Sequence, residues 1–319
     1  MKRYIYRIIK RLIGANRITE YYLVRQFYTF SFHFRSVPSV AIYSLDGKLF
    51  TNGLADRLRG MISVYAYAKC NKIPFRINHR IPFLLENYIV PNRYNWIFCE
   101  CEYSNNLLYS RPVCLMDYTK GYRMLFLNSH KQHHFYTNID CLSLLNRKYK
   151  KEYTYSQLFQ ELFKPSSLLQ EKIDYCNKLL GNNYISVSFR FMQLMGDFKD
   201  IRGNILNETD RMNLIERCIE LIYRLKGRHP NVQKVLVTSD SMTFMHAVED
   251  ISFTYQIPGV IGHIGHVDNV AANLKTFLDF WMISKAKKVY MGYTGDMYRS
   301  NFAKSAASST DTDYEEIFF

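Results

Sequence analysis

From residue 184 onward, short apolar β-rich segments alternate with longer segments whose apolar residues recur at helical spacing. Few folds accommodate that alternation. Tyr184–Phe189 and residues 234–238, 253–257 and 288–291 read as strands. Helices are predicted over about residues 208–225, from near Ser241, over 273–286 and from near Ser300. Gly227, Pro230 and the Pro258-Gly259 pair punctuate them. Strand–helix repetition covers both faces of a sheet, so a parallel, doubly wound α/β sheet is expected.

The first half carries the same signal more weakly. Residues 39–45 read as a strand, followed by Thr51-Asn52-Gly53 and a helix with Leu54, Leu58, Met61, Ile62, Tyr65 and Ala66 on one face. Residues 74–78 and 96–100 look like further strands, and residues 105–150 show no clear pattern. A short helix over 155–163 is stopped by Pro165, and Ser167-Leu-Leu-Gln170 carries a capping-box signal for a helix ending at Gly181. The 319 residues suit two domains. The expected partition is a basic segment over 1–35, a first Rossmann-like lobe over 36–170, a second Rossmann-like lobe over 171–306 and a loose acidic tail over 307–319. Two lobes with a cleft between them complete the expectation.

Net charge is +14, which calls for an anionic partner. Residues 1–35 hold eight Lys and Arg against Glu20 alone, half of that excess, with nine aromatics interleaved. Such a segment suits an anionic membrane surface, and its charges recur too often for a signal-peptide core. No stretch offers the ~20 apolar residues of a spanning helix. The seven cysteines form no CxxC pair and suit reduced thiols, with Cys99 and Cys101 read as core filler on a strand.

Ligands of open parallel sheets bind beyond the carboxyl ends of strands. Arg190, the Thr238-Ser239-Asp240 cluster and Gly292-Tyr-Thr-Gly295 fall at such ends. A guanidinium pairs bidentately with phosphate, so Arg190 suits a diphosphate, its alternative being an interdomain salt bridge. Ser300, opening the last helix, suits phosphate oxygens, and Asp240 suits a base or ribose.

These positions carry a resemblance. Asn52-Gly-Leu-Ala-Asp-Arg-Leu-Arg-Gly60, Ser188-Phe-Arg190 with Gly196-Asp197, Val237-Thr-Ser-Asp240, Asp279-Phe-Trp-Met-Ile-Ser284 and Ser300-Asn-Phe-Ala-Lys-Ser-Ala306 occur in order over residues 52–306. The series resembles the fucosyltransferase-like glycosyltransferases of GT-B architecture, which include α1,2-, α1,6- and protein O-fucosyltransferases. Ser188 stands where that family has His, five residues separate Arg190 from Gly196, and Asp56 stands where Asn is usual.

The resemblance implies inverting transfer without a metal cofactor, of a sugar such as fucose from a GDP-sugar to a glycan or lipid-linked glycan, in bacterial surface-polysaccharide synthesis. It implies catalytic Arg190 and Asp56, the latter as base or else as a helix first-turn acid holding Arg57 or Arg59. It places Asp197, Thr238, Ser239, Asp240, Asp279, Ser300 and Phe302 with Arg190 on the donor. Asn52, Gly53, Arg57, Arg59, His263 and His266 fall on the acceptor side. The corresponding location is cytoplasmic, peripheral at the inner face of the plasma membrane.

Other signals compete. Asp311-Thr-Asp313 spells a DxD metal motif, but in the acidic tail rather than after a strand. His130, His133 and His134 lack accompanying ligands at metal spacing and read as surface or acceptor-side histidines. Basic charge with aromatics also describes an RNA-binding protein, but no RNP-like run is present and nucleic acid is not the expected partner. A scaffold protein without transferase activity is the remaining alternative.

Overall fold

The structure, a computed structural model, describes residues 14–32, 36–49, 53–116, 118–128, 130–197, 204–261 and 269–319. The chain divides into two compact units, Met1–Lys164 and Pro165–Phe319. The first contains a four-stranded sheet of β1 (Ala41–Leu45), β2 (Phe75–His79), β4 (Ser110–Leu115) and β5 (Gln132–Thr137), in the order β2-β1-β5-β4. All its pairings are parallel. A small ribbon joins β3 (Ile89–Pro91) to β6 (Phe163–Pro165).

Two of these strands lie in the stretch without a readable pattern. Ser110–Leu115 contains Arg and Pro, and Gln132–Thr137 carries His133 and His134 in a fully buried run. His133 and His134 are therefore interior residues, not surface or acceptor-side ones; only His130 is exposed. The region expected as a strand over 96–100 makes a single bridge at Ile97, then a 3₁₀ turn over Glu100–Glu102. Cys99 and Cys101 are exposed there and joined as a disulfide, so they are not core filler.

Within the basic segment, helix Ala15–Phe27 packs on β4, burying Asn16, Glu20 and Leu23. Residues 1–13 of that segment lie outside the described residues. Helix Leu54–Asn71 presses on β1 and β5 through Gly60, where a Cβ would meet the Thr137 carbonyl at 2.3 Å.

The second unit follows the expected alternation closely. Its sheet runs β11-β10-β7-β8-β9, built from β7 (Tyr184–Phe189), β8 (Lys234–Ser239), β9 (Thr254–Tyr255), β10 (Val289–Tyr293) and β11 (Tyr314–Phe318). Every pairing is parallel. Helices Ser167–Leu180, Glu208–Arg228, Met242–Ala247, Val270–Ser284 and Phe302–Ser308 alternate with these strands. Ser166, one residue before the expected cap, caps the first of them.

The acidic tail is not loose. Tyr314–Phe318 pairs along the whole of β10, and Glu315 binds Lys288 at 2.8 Å. Charged side chains on an edge strand discourage further strand addition. Asp311 and Asp313 of the DxD sequence lie in the turn before that strand, and the Asp313 carbonyl accepts from Val289 N–H.

At Gly292 the backbone of β10 is closely approached by side chains. A Cβ there would lie 2.5 Å from Phe189 Cε1 and 2.8 Å from Leu221 Cδ2. Gly292→Ala is expected to cost the second unit about 1–3 kcal/mol through overpacking. Gly227→Ala, inside a helix with nothing within 4 Å of the new Cβ, should be neutral or stabilising by up to about 1 kcal/mol. Urea denaturation of both variants checks this; equal effects would contradict the packing.

Candidate functional site

β7 and β8 run parallel with Ser188 opposite Thr238 and Phe189 opposite Ser239. The next residue on each, Arg190 and Asp240, therefore emerge side by side at the carboxyl edge. Arg190 Nε lies 3.2 Å from Asp240 Oδ2. Asp240 Oδ1 accepts from Phe191 N–H and Oδ2 from Met192 N–H, each at 2.8 Å. Both N–H groups thus converge on one carboxylate, and the chain turns away just after them at Met192, whose backbone is left-handed with φ 55°.

Burial pushes the Asp240 carboxyl above its ordinary value, while Arg190 and the backbone N–H groups oppose that shift. With only 3% of its side chain exposed, Asp240 is held against Arg190 and the turn after β7. The salt bridge of Arg190 lies inside the second unit, so the interdomain alternative does not describe this pair.

Other predicted residues gather on the same edge. The Ser188 and Thr238 hydroxyls are bonded at 2.7 Å, so the serine that replaces a histidine still has a partner. Ser239 Oγ accepts from Ser241 N–H. Asp197 Oδ2 accepts from Ser241 Oγ at 2.9 Å and Thr243 N–H at 2.7 Å, tying the β7 loop to the helix after β8. Tyr298 N–H donates to the Arg190 carbonyl at 3.1 Å, which brings the loop after β10 to the same place. Thr294, on that loop and 4% exposed, has a hydroxyl without a partner among the described residues.

Three predicted donor residues are engaged elsewhere. Both Asp279 oxygens accept from Lys275 Nζ at 2.6 Å in a buried i,i+4 pair. Ser300 Oγ accepts from Phe302 N–H inside its own turn. The Phe302 ring packs edge-on against Phe280, with centroids 5.8 Å apart.

In the first unit, Arg57 and His79 form a buried cationic pair with a defined tautomer. His79 Nδ1 lies 3.0 Å from the Phe83 carbonyl, to which it donates, leaving Nε2 to accept from Arg57 Nη1 at 3.2 Å. Burial first, then Arg57, pushes His79 down to about 3. Burial lowers Arg57 to about 10, and it also lies over the Phe83 ring.

Asp56 contacts Arg59 across one helical turn, which matches the first-turn reading. Burial raises the Asp56 carboxyl and Arg59 opposes that rise. Gly53 is the N-cap of that helix, while Asn52, His263 and His266 lie outside the described residues.

One acid escaped the sequence reading. Asp46 directly follows β1, bonds Lys48 Nζ at 2.7 Å and Tyr136 OH at 3.2 Å, and lines a small cavity of about 20 Å³ with Arg57 and Thr137. Its signal was available: an Asp-Gly pair immediately after the first strand.

Comparison with solved structures defines the class of fold. The chain has the two-unit GT-B fold of fucosyltransferase structures. It superposes on an Arabidopsis thaliana FUT1 variant in complex with GDP with a TM-score of 0.56, at 10% identity, over 99% of this chain and 78% of that one. A NodZ α-1,6-fucosyltransferase soaked with GDP-fucose matches with a TM-score of 0.54, at 11% identity, over 86% of this chain and 92% of that one. NodZ from Bradyrhizobium gives 0.53 at 12% identity, over 85% and 92%. No protein-family model and no curated protein sequence matches the chain.

Burial holds His79, His133 and His134 neutral, each near 3, against an unfolded value near 6.5. The unfolded chain therefore binds more protons between those limits, and stability falls as pH drops below 6.5. Each histidine contributes a slope of up to about 1.4 kcal/mol per pH unit in that window. Urea titrations from pH 7 to 4, followed by a probe in the first unit, should show that loss. A flat profile would contradict neutral burial.

Proposed function

We propose that the chain is an inverting glycosyltransferase that moves a sugar, fucose foremost, from a GDP-sugar to a glycan or lipid-linked glycan. The observation that carries this reading is Arg190, held by Asp240 at the carboxyl edge of the second sheet. The fold supports it, since solved proteins sharing that fold are described with GDP or GDP-fucose.

The acceptor hydroxyl attacks the anomeric carbon as the bond to the diphosphate breaks, which inverts that centre. Negative charge grows on the departing diphosphate, and Arg190, already oriented, stabilises it more in the transition state than in the ground state. Thr294 and Ser239 are the hydroxyl groups assigned to the phosphates. The acceptor's proton goes to a carboxylate base within hydrogen-bond reach, Asp56 being the first candidate.

Arg190→Ala is expected to lower kcat by about 10²–10³-fold, the scale for losing one preorganised donor. Arg190→Lys should restore part of it, because an ammonium keeps the charge and loses the planar fork. Transfer assays with GDP-fucose check both. Activity in the alanine variant equal to that of the parent would reject the donor grip.

The basic segment over residues 1–35 supports a role at the cytoplasmic face of a bacterial plasma membrane, in surface-polysaccharide synthesis. Deleting residues 1–12 removes five basic side chains. Each is worth about 1 kcal/mol at an anionic surface. Sedimentation with phosphatidylglycerol vesicles should fall sharply, and undiminished binding would reject a membrane role for residues 1–12.

A further inference from the structure

A second charged cavity lies within the first unit and has no part in the donor reading. It encloses about 430 Å³ beside helix Ala15–Phe27 and β4, with Asn16, Arg17, Glu20, Arg111 and Arg123 in its wall. Three guanidinium groups there meet one carboxylate, a net +2.

That carboxylate is already engaged. Arg123 Nη2 lies 2.6 and 2.9 Å from the two Glu20 oxygens, Cys114 N–H donates to it at 2.9 Å, and Arg17 Nη1 lies at 3.5 Å. Glu20 and Arg123 thus form a closed pair, and the excess charge rests on Arg17 and Arg111.

Two buried donors in the wall have no partner among the described residues: Arg111 Nε and Asn16 Nδ2. Asn16 is 3% exposed, and its Oδ1 accepts from Met116 N–H at 3.1 Å. That bond fixes the amide orientation, so the orphan is a donor. An unmet buried donor is costly, and the excess of positive charge in this wall suits an anion. Burial pushes the Arg111 guanidinium down, Glu20 and Tyr67 oppose this, and Arg17 and Arg123 add to it. The thirteen residues before Gly14 contain no Asp or Glu to serve as that anion.

The cavity is also lined by Tyr122 and Phe126, which are 50% and 77% exposed. Exposed rings beside arginines suit an amphiphile lying at a membrane interface.

We propose that this cavity binds the phosphate group of an anionic lipid. The Arg17 and Arg111 guanidinium groups pair with the phosphate, and Tyr122 and Phe126 meet the apolar part. The site uses neither the donor residues nor residues 1–12, so it stands or falls separately from the proposed transferase activity.

The test measures affinity of the full chain for dihexanoyl phosphatidic acid and for glycerol 3-phosphate by calorimetry, with stabilisation by GDP recorded on the same samples. Arg111→Gln and Arg17→Gln should each weaken lipid binding by about tenfold. Arg111→Lys should fall between, and stabilisation by GDP should be the same in all. Lipid affinity unchanged in Arg111→Gln would overturn the site. Glycerol 3-phosphate binding as tightly as the lipid would overturn the amphiphile and assign the cavity to a soluble phosphate ester. Retained lipid binding without any response to GDP would uphold this site while removing the transferase reading.

Discussion

The Asp240 carboxylate organises the carboxyl edge of the second sheet. A carboxylate this buried is costly unless its lone pairs are met. Here Phe191 N–H, Met192 N–H and Arg190 Nε meet them. Those bonds hold the first residues after β7 against Asp240, and the chain then turns at the left-handed Met192. The same turn leaves the Arg190 carbonyl where Tyr298 N–H reaches it, so the loop after β10 takes its position from the β7 turn. Parallel register between β7 and β8 makes this possible, because residues following paired positions emerge as neighbours.

The first unit buries charge by a different route. Arg57 is 1% exposed and faces a histidine whose other nitrogen is occupied by a backbone carbonyl. A neutral His79 relieves part of the desolvation cost without adding a second charge. Two further histidines on β5 are buried neutral as well, which couples this unit's stability to acid more directly than the second unit's. Glu20 and Arg123 show the complementary solution, a carboxylate closed by guanidinium and backbone donors.

Much of the second unit was legible because its strands are apolar runs between Gly and Pro breakers; β7 was read to its last residue. Arg190 and Asp240 were legible as strand-end residues, but their pairing depends on register, which one sequence does not display. The β4 and β5 strands were not legible, because Arg111, Pro112, His133 and His134 interrupt the apolar pattern. Their burial is tolerated by neutral imidazoles and tertiary partners far away in sequence, such as Tyr28 on His134. The last strand was hidden by its acids, which read as a solvated tail until Lys288 and Arg228 are placed beside Glu315. Asp279 was recognised by position within a helix, yet its i,i+4 lysine closes on it.

The central claim is that an arginine preorganised at the end of β7 receives the diphosphate of a guanine nucleotide. A thermal-shift panel of GDP, UDP, ADP, CMP and dTDP on the full chain tests it most directly. Ligands that bind only the folded state raise the unfolding temperature by an amount that grows with the logarithm of free ligand over Kd, about 2.7 kcal/mol of stabilisation at a hundred times Kd. The account predicts a shift with GDP that exceeds the other four and disappears in Arg190→Ala. Equal or absent shifts across the panel, or a GDP shift that survives in Arg190→Ala, would contradict it.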